Sequence, residues 1–209
     1  MLRLSFSISI LFVVSACVSV QKHPLPPDSE IAIQAAWKVH RVNLELINTW
    51  SLKGRVAGKS NEEGFRAGVK WREQPKEFSI DLLGPLGRKV AGINGDDISV
   101  ELKTSKGESY EASNPESLMQ DLFGYSLPVQ GLRYWLRGIP DPQQTFSELQ
   151  LDEYGRLKQL HQAGWLIEYK RYHAKDTKNQ TALPAFIKIS NVTLDANIVI
   201  DRWVLNALR

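Results

Sequence analysis

The stretch FRAGVKWR, Phe65 to Arg72, decides how the chain is read. Phe65, Ala67, Val69 and Trp71 alternate with Arg66, Gly68, Lys70 and Arg72, so an extended backbone puts one apolar and one charged face on opposite sides. The period recurs downstream: Phe78, Ile80 and Leu82 alternate with Ser79 and Asp81, and Ile98, Val100 and Leu102 with Ser99, Glu101 and Lys103. Turn formers separate these runs at Asn61-Glu62-Glu63-Gly64, Gly84 to Gly87, Asn94-Gly95-Asp96 and Ser105-Lys106-Gly107. The pattern is that of half-buried antiparallel strands. Further strands are expected over Phe146 to Leu151, Leu157 to Gln162, Trp165 to Tyr172, Phe186 to Ser190 and Ile198 to Leu205.

Helical periodicity occurs in two places. From Glu30, the residues Ile33, Trp37, His40, Leu44 and Ile47 recur at four- and three-residue steps, with Asp28 or Ser29 available as a cap. A helical interlude starts at Asn114-Pro115-Glu116, with Leu118, Met119, Leu122 and Phe123 on one face and Gly124 at its end. Pro128 then opens a second segment in which Leu132, Trp135 and Leu136 share a face. Many short antiparallel strands with few helices predict a mainly β (α+β) body. Its form is a curved sheet or unclosed antiparallel β-barrel, with an N-terminal helix and a concave face closed by an α-helical lid.

The first residues, MLRLSFSISILFVVSAC, carry one early cation, Arg3, then an apolar run from Leu4 to Val14 that is too short to span a bilayer. Val14-Ser15-Ala16-Cys17 resembles the bacterial lipobox, which implies a cleaved leader over 1–16 and a lipidated Cys17. Cys17 is the only cysteine, so an oxidising compartment offers it no intramolecular partner, and acylation would remove the exposed thiol. Residues 17–29, rich in proline, form a tether, and 30–209 a single domain. Val18 and Ser19 follow the cysteine with no aspartate of the kind that resembles an inner-membrane retention signal, which directs the chain to the periplasmic face of the outer membrane. The leader holds one cation and no acid, so its removal takes the net charge from +3 to +2. That near-neutral balance argues against nucleic acid as a partner.

Chemistry-bearing motifs are hard to find. The four histidines form no pair at metal-ligand spacing, no nucleophile elbow or phosphate-cradling loop occurs, and acidic pairs such as Asp96-Asp97 fall at turns. The residues therefore point to no enzyme, metal or cofactor. Large apolar side chains dominate instead: Trp50, Trp71, Trp135, Trp165 and Trp203 either fill the core or line a cavity suited to acyl chains. At Gly84-Pro85-Leu86-Gly87, a sharp reversal carries a leucine that either folds back onto the core or meets an apolar partner outside.

Taken in order, these features resemble the LolB family of outer-membrane lipoprotein receptors. The resemblance runs from about Trp37 to the C-terminus. It rests on Leu52-x-Gly54-Arg55-x-Ala57, Trp71, Leu82-Leu83-Gly84-Pro85-Leu86-Gly87, Leu127-Pro128 and Tyr134-Trp135-Leu136-Arg137-Gly138-x-Pro140. Gly164-Trp165 with Tyr169 and Tyr172, and Leu183-Pro184 with Ile187, complete it. The resemblance implies a monomeric receptor that accepts acylated lipoproteins from LolA, a soluble periplasmic carrier, and inserts them into the outer membrane. It assigns anchorage in outer-membrane lipid to Cys17, membrane delivery to Leu86 within the Gly84, Pro85, Gly87 turn, and an acyl-binding cavity wall to Trp71, Trp135, Trp165 and Tyr169. A second reading is a structural envelope lipoprotein that binds a protein partner on its concave face, with the tryptophans as core.

Overall fold

In the computed structural model, which describes residues 29–60, 63–96, 98–118, 128–174 and 181–205, the alternating segments form one antiparallel sheet of eleven strands. In chain order these are β1 (Trp50–Ser60), β2 (Glu63–Glu73), β3 (Glu77–Leu83), β4 (Lys89–Asp96), β5 (Val100–Thr104) and β6 (Ser109–Ala112). They continue as β7 (Phe146–Leu151), β8 (Leu157–Gln162), β9 (Trp165–Tyr172), β10 (Pro184–Ser190) and β11 (Leu194–Leu205). The spatial order is β6-β5-β4-β3-β2-β1-β11-β10-β9-β8-β7, two meanders joined along β1 and β11. Strand twist accumulated over so wide a sheet makes it curl, and register shifts at Lys53/Gly54 and at Leu82/Leu83 bend it further. Among the described residues β6 and β7 remain as unpaired edges, so the barrel is unclosed, as the sequence pattern predicts.

At the first of those shifts Gly54 is required. A Cβ there would collide with the carbonyl oxygen of Val199 on β11, which explains the glycine in Leu52-x-Gly54-Arg55. Elsewhere the strand reading needs one correction. Ile98 does not continue the inward row of Val100 and Leu102. It is 82% exposed, because the Asp96 carboxylate accepts hydrogen bonds from the backbone N–H groups of Ile98 and Ser99 and turns the chain before β5. The leader, Cys17 and the tether up to residue 28 lie outside the described residues, as do Met119, Leu122, Phe123 and Gly124.

Helix α1 (Glu30–Glu45) is capped by Ser29, whose hydroxyl accepts from the Ala32 N–H at 3.2 Å, and it buries Trp37 and Leu44. Its backbone lies so close to the β7–β8 turn that Gly155, at φ +69°, has no room for a side chain. Asn114 starts a helical turn over 115–118 by accepting from the Ser117 N–H at 2.8 Å. Helix α2 (Val129–Trp135) buries Val129, Leu132 and Trp135.

Buried polar side chains fix α2 in place. Arg137, just past its end and 7% exposed, donates from its guanidinium to the carbonyl oxygens of Leu44 at 3.1 Å and Ile47 at 2.6 Å, satisfying the C-terminal end of α1. Gln162, 2% exposed, uses all of its side-chain amide: Oε1 accepts from the Trp135 indole at 2.8 Å and the Asp141 N–H at 2.9 Å, while Nε2 donates to the carbonyls of Asp141 and Gln144. The Tyr169 hydroxyl donates to the Trp135 carbonyl at 2.9 Å. On the β2 side, Glu73 accepts from the Trp71 indole at 3.0 Å and pairs with Arg133 of α2 at 3.2 Å.

Two outcomes follow from this arrangement. Arg137→Met takes away the guanidinium donor of the half-buried Ile47 carbonyl and leaves the Leu44 carbonyl only the Ile47 N–H, and should cost about 1–3 kcal/mol, read as a lowered urea midpoint. Burial pushes the Glu73 carboxyl above its usual range, against the pull of Arg133, the Trp71 N–H and Arg137. Between the unfolded value and this raised folded value the native state holds more protons. The Glu73 contribution to stability is therefore complete below the usual carboxylate range and falls as pH rises through that window. Unfolding free energies measured across weakly acid pH should show this fall in the parent chain and not in Glu73→Gln; parallel profiles would contradict it.

Candidate functional site

Between the concave face of the sheet and α2 lies a cavity of about 310 Å³. Strand alternation supplies its walls: Leu52 and Val56 from β1, Phe65, Ala67, Val69 and Trp71 from β2, Ile80 and Leu82 from β3, and Ile93 from β4. Ile189 from β10 and Leu194, Ala196 and Ile198 from β11 close the other side, and Val129, Leu132 and Leu136 form the roof. Arg55 and Arg66 border it too, but both are exposed and occupy outward positions of β1 and β2, so the lining side chains are apolar. Val56, Phe65, Val69, Leu82 and Ile198 are only half-buried: they pack on the core on one side and face the cavity on the other. An apolar cavity of this volume falls at the small end of ligand pockets.

Of the four aromatic residues expected on the wall, Trp71 lines this cavity. Trp135, Trp165 and Tyr169 are placed in the core instead. Trp135 is turned toward β8 by its bond to Gln162 and packs on Trp165 with ring centroids 6.2 Å apart. Tyr169 is spent on the Trp135 carbonyl and stacks on Tyr172. A buried indole or phenol needs a hydrogen-bond partner, and those partners lie on the scaffold. Trp50 likewise packs between Trp71 and Trp203. The sequence pattern marks Ala67, Val69 and Ile198 as strand residues without assigning them to a wall, although the two-residue alternation through β2 puts Ala67 and Val69 on the same face as Trp71.

A larger depression of about 640 Å³ lies at the β8–β9 and β10–β11 turns. It is lined by Gln144, Thr145, Ser147, His161, Gln162, Ser190 and Asn191 as well as Phe146, Trp165 and Val192, and so offers an acyl chain a mixed polar surface. Among the described residues no three His, Cys, Asp or Glu side chains gather in a way that would hold a metal ion.

The second distinctive feature is the β3–β4 connection. Gly84 donates to the Arg88 carbonyl at 2.9 Å, and Pro85–Gly87 form a single 3-10 turn closed by the Gly87 N–H on the Gly84 carbonyl. Leu86 sits at its tip, 99% exposed, with φ 62° and ψ 16°. For a residue with a Cβ the left-handed region costs about 1–2 kcal/mol. Of the two possibilities that turn chemistry leaves open, the leucine therefore takes the outward one, touching no core residue and holding a strained backbone.

The sequence and the fold have counterparts. The family model described as Outer membrane lipoprotein LolB matches residues 48–203. The chain is 33% identical over 202 residues to the outer-membrane lipoprotein LolB of Pseudomonas aeruginosa, covering 97% of this chain and 96% of that one. It is 34% identical over 203 residues to that of Nitrosococcus oceani, covering 97% and 98%. A solved domain from Vibrio parahaemolyticus, described as an outer membrane lipoprotein-sorting protein domain, shares the fold with a TM-score of 0.51 at 8% identity, over 83% of this chain and 92% of that one. With a match through nearly the whole sheet and close to a third of positions identical end to end, the chain belongs to the outer membrane lipoprotein LolB family.

Proposed function

We propose that the chain is a monomeric lipoprotein receptor, held at the periplasmic face of the outer membrane by an acylated Cys17. It takes the acyl chains of lipoproteins from a LolA-like carrier into the cavity beneath α2, and releases them into the bilayer. The observation that carries this reading is the cavity itself. Its lining side chains are apolar, and it is roofed by a helix that buried polar bonds hold off the sheet floor. Exposing an acyl chain to water costs about 0.8 kcal/mol per CH2, so such a chain must be shielded until a bilayer is within reach.

Transfer on this reading is a sequence of apolar partitions with no covalent step. The chain leaves the carrier for a better-matched wall of Leu52, Val69, Trp71 and Leu132, and then leaves the wall for the bilayer. Membrane delivery falls to Leu86. The Pro85–Gly87 turn projects a leucine whose exposure and backbone strain serve no packing purpose in the free protein. A leaflet supplies the apolar surroundings that the fold withholds.

Leu86→Glu should accept lipoprotein from the carrier at the parent rate and lose most of its insertion into liposomes. Equal insertion would remove the role given to the loop. Leu86→Asn, which suits the left-handed backbone and loses no contact, should insert poorly while unfolding at the same or a slightly higher denaturant midpoint. A lowered midpoint would mean that the leucine serves the fold.

A further inference from the structure

The outer faces of β1, β2 and β11 carry a charge pattern that lipoprotein transfer leaves unused. Register places Arg202 of β11 opposite Lys53 of β1, and Lys53 opposite Lys70 of β2, three cations in a row across adjacent strands. Like charges directly opposite one another destabilise a sheet. Lys59, Arg66 and Arg72 extend the row at further outward positions, where β1 and β2 place no acid. Arg55, in their midst, is matched by Asp201 at 2.8 Å, and Asp81, opposite Lys70, is taken by Lys89. The other six cations are exposed, and none has an ion-pair partner among the described residues. Asp195 of β11, opposite Lys59, is taken by Lys188 of β10, and on β9 Lys170 pairs with Glu168. With a net charge of only +3, the chain has no general excess that would account for such a cluster.

We propose that this face is a docking surface for the anionic headgroups of a phospholipid bilayer, a reading that rests on the membrane attachment assigned to Cys17. Its composition suits a lipid surface better than a protein. On β1 and β2 the cations are interspersed with Ser51, Ala57, Gly64 and Gly68, and β11 adds Val199 and Val204 at the margin of the cluster, whereas protein interfaces centre on aromatic or larger aliphatic anchors and are depleted in lysine. Exposed ammonium and guanidinium groups, four of them around a depression shared by Lys53, Lys70, Arg72 and Arg202, match a layer of anionic phosphates. The contact lays the flank of the sheet toward the leaflet and so limits the tilt at which the β3–β4 loop, two strands from β1, meets the membrane.

The test reconstitutes the acylated mature chain in phosphatidylcholine vesicles with and without phosphatidylglycerol, and reads energy transfer from its tryptophans to a dansyl-labelled lipid. Transfer should rise with phosphatidylglycerol and fall back in high salt. The rise should be lost in the variant Lys53→Gln, Lys70→Gln, Arg72→Gln, Arg202→Gln, whose melting temperature should be no lower than the parent's because opposed like charges are gone. Equal transfer on both vesicles in the parent, or an unchanged rise in the variant, overturns the proposal. A variant that keeps the rise but takes lipoprotein from the carrier more slowly assigns the face to an acidic protein and also overturns it. Flotation with pure phosphatidylcholine reports the Cys17 anchor separately: a chain that fails to float there yet still gains transfer with phosphatidylglycerol keeps the face and removes the anchor.

Discussion

A sheet that curls without closing leaves an apolar concave face that must be kept from water and yet, to hold a guest, must not be filled by the protein's own side chains. The structure meets these opposed demands by suspending α2 over the face on polar bonds. Arg137 fastens the end of α2 to the end of α1, Gln162 fastens Trp135 and the following segment to β8, and Glu73 ties Arg133 to the end of β2. The bonds of Gln162 to Trp135 and Asp141 and of Arg137 to Leu44 are buried and the others half-buried, so losing one partner leaves the other poorly solvated. That penalty holds the roof at a fixed height. Hydrophobic collapse alone would draw α2 down until Leu132 and Leu136 filled the space above Val69 and Ile198.

Seen this way, the motifs that carry the family resemblance divide by task. Gly54 lets β1 and β11 approach, and Arg137, Trp135 and Tyr169 position the roof. Only Trp71 among the marked aromatics, with unremarkable valines, leucines and isoleucines, meets the cavity. The Gly84 to Gly87 turn contributes nothing to the scaffold through its leucine, and that exposure is what the proposed delivery role requires.

How much of this was legible in the chain depended on distance along it. Period-two alternation is local, so the strands around Trp71, Phe78, Trp165 and Phe186 could be read directly, as could α1 from its stripe and the Ser29 cap. β4, interrupted by Gly92 and Gly95, and β6, short and exposed, carry too weak a pattern to stand out. Ile98 misled because an Asx turn at Asp96 outweighs its apolar character. The faces of Trp135 and Trp165 could not be read at all. They are decided by Gln162, a polar residue without any sequence signature, and by a strand order that joins the first strand to the last.

The central claim is that acyl chains occupy the space beneath α2. It is tested most directly by loading the receptor with a lipoprotein whose acyl chain carries a diazirine, irradiating, and mapping the adducts by mass spectrometry. The account predicts labels on peptides of β1, β2, α2 and β11 containing Leu52, Val69, Trp71, Leu132 and Ile198. Labels concentrated instead around Phe146, Trp165 and Val192, in the polar depression at the sheet end, would contradict it.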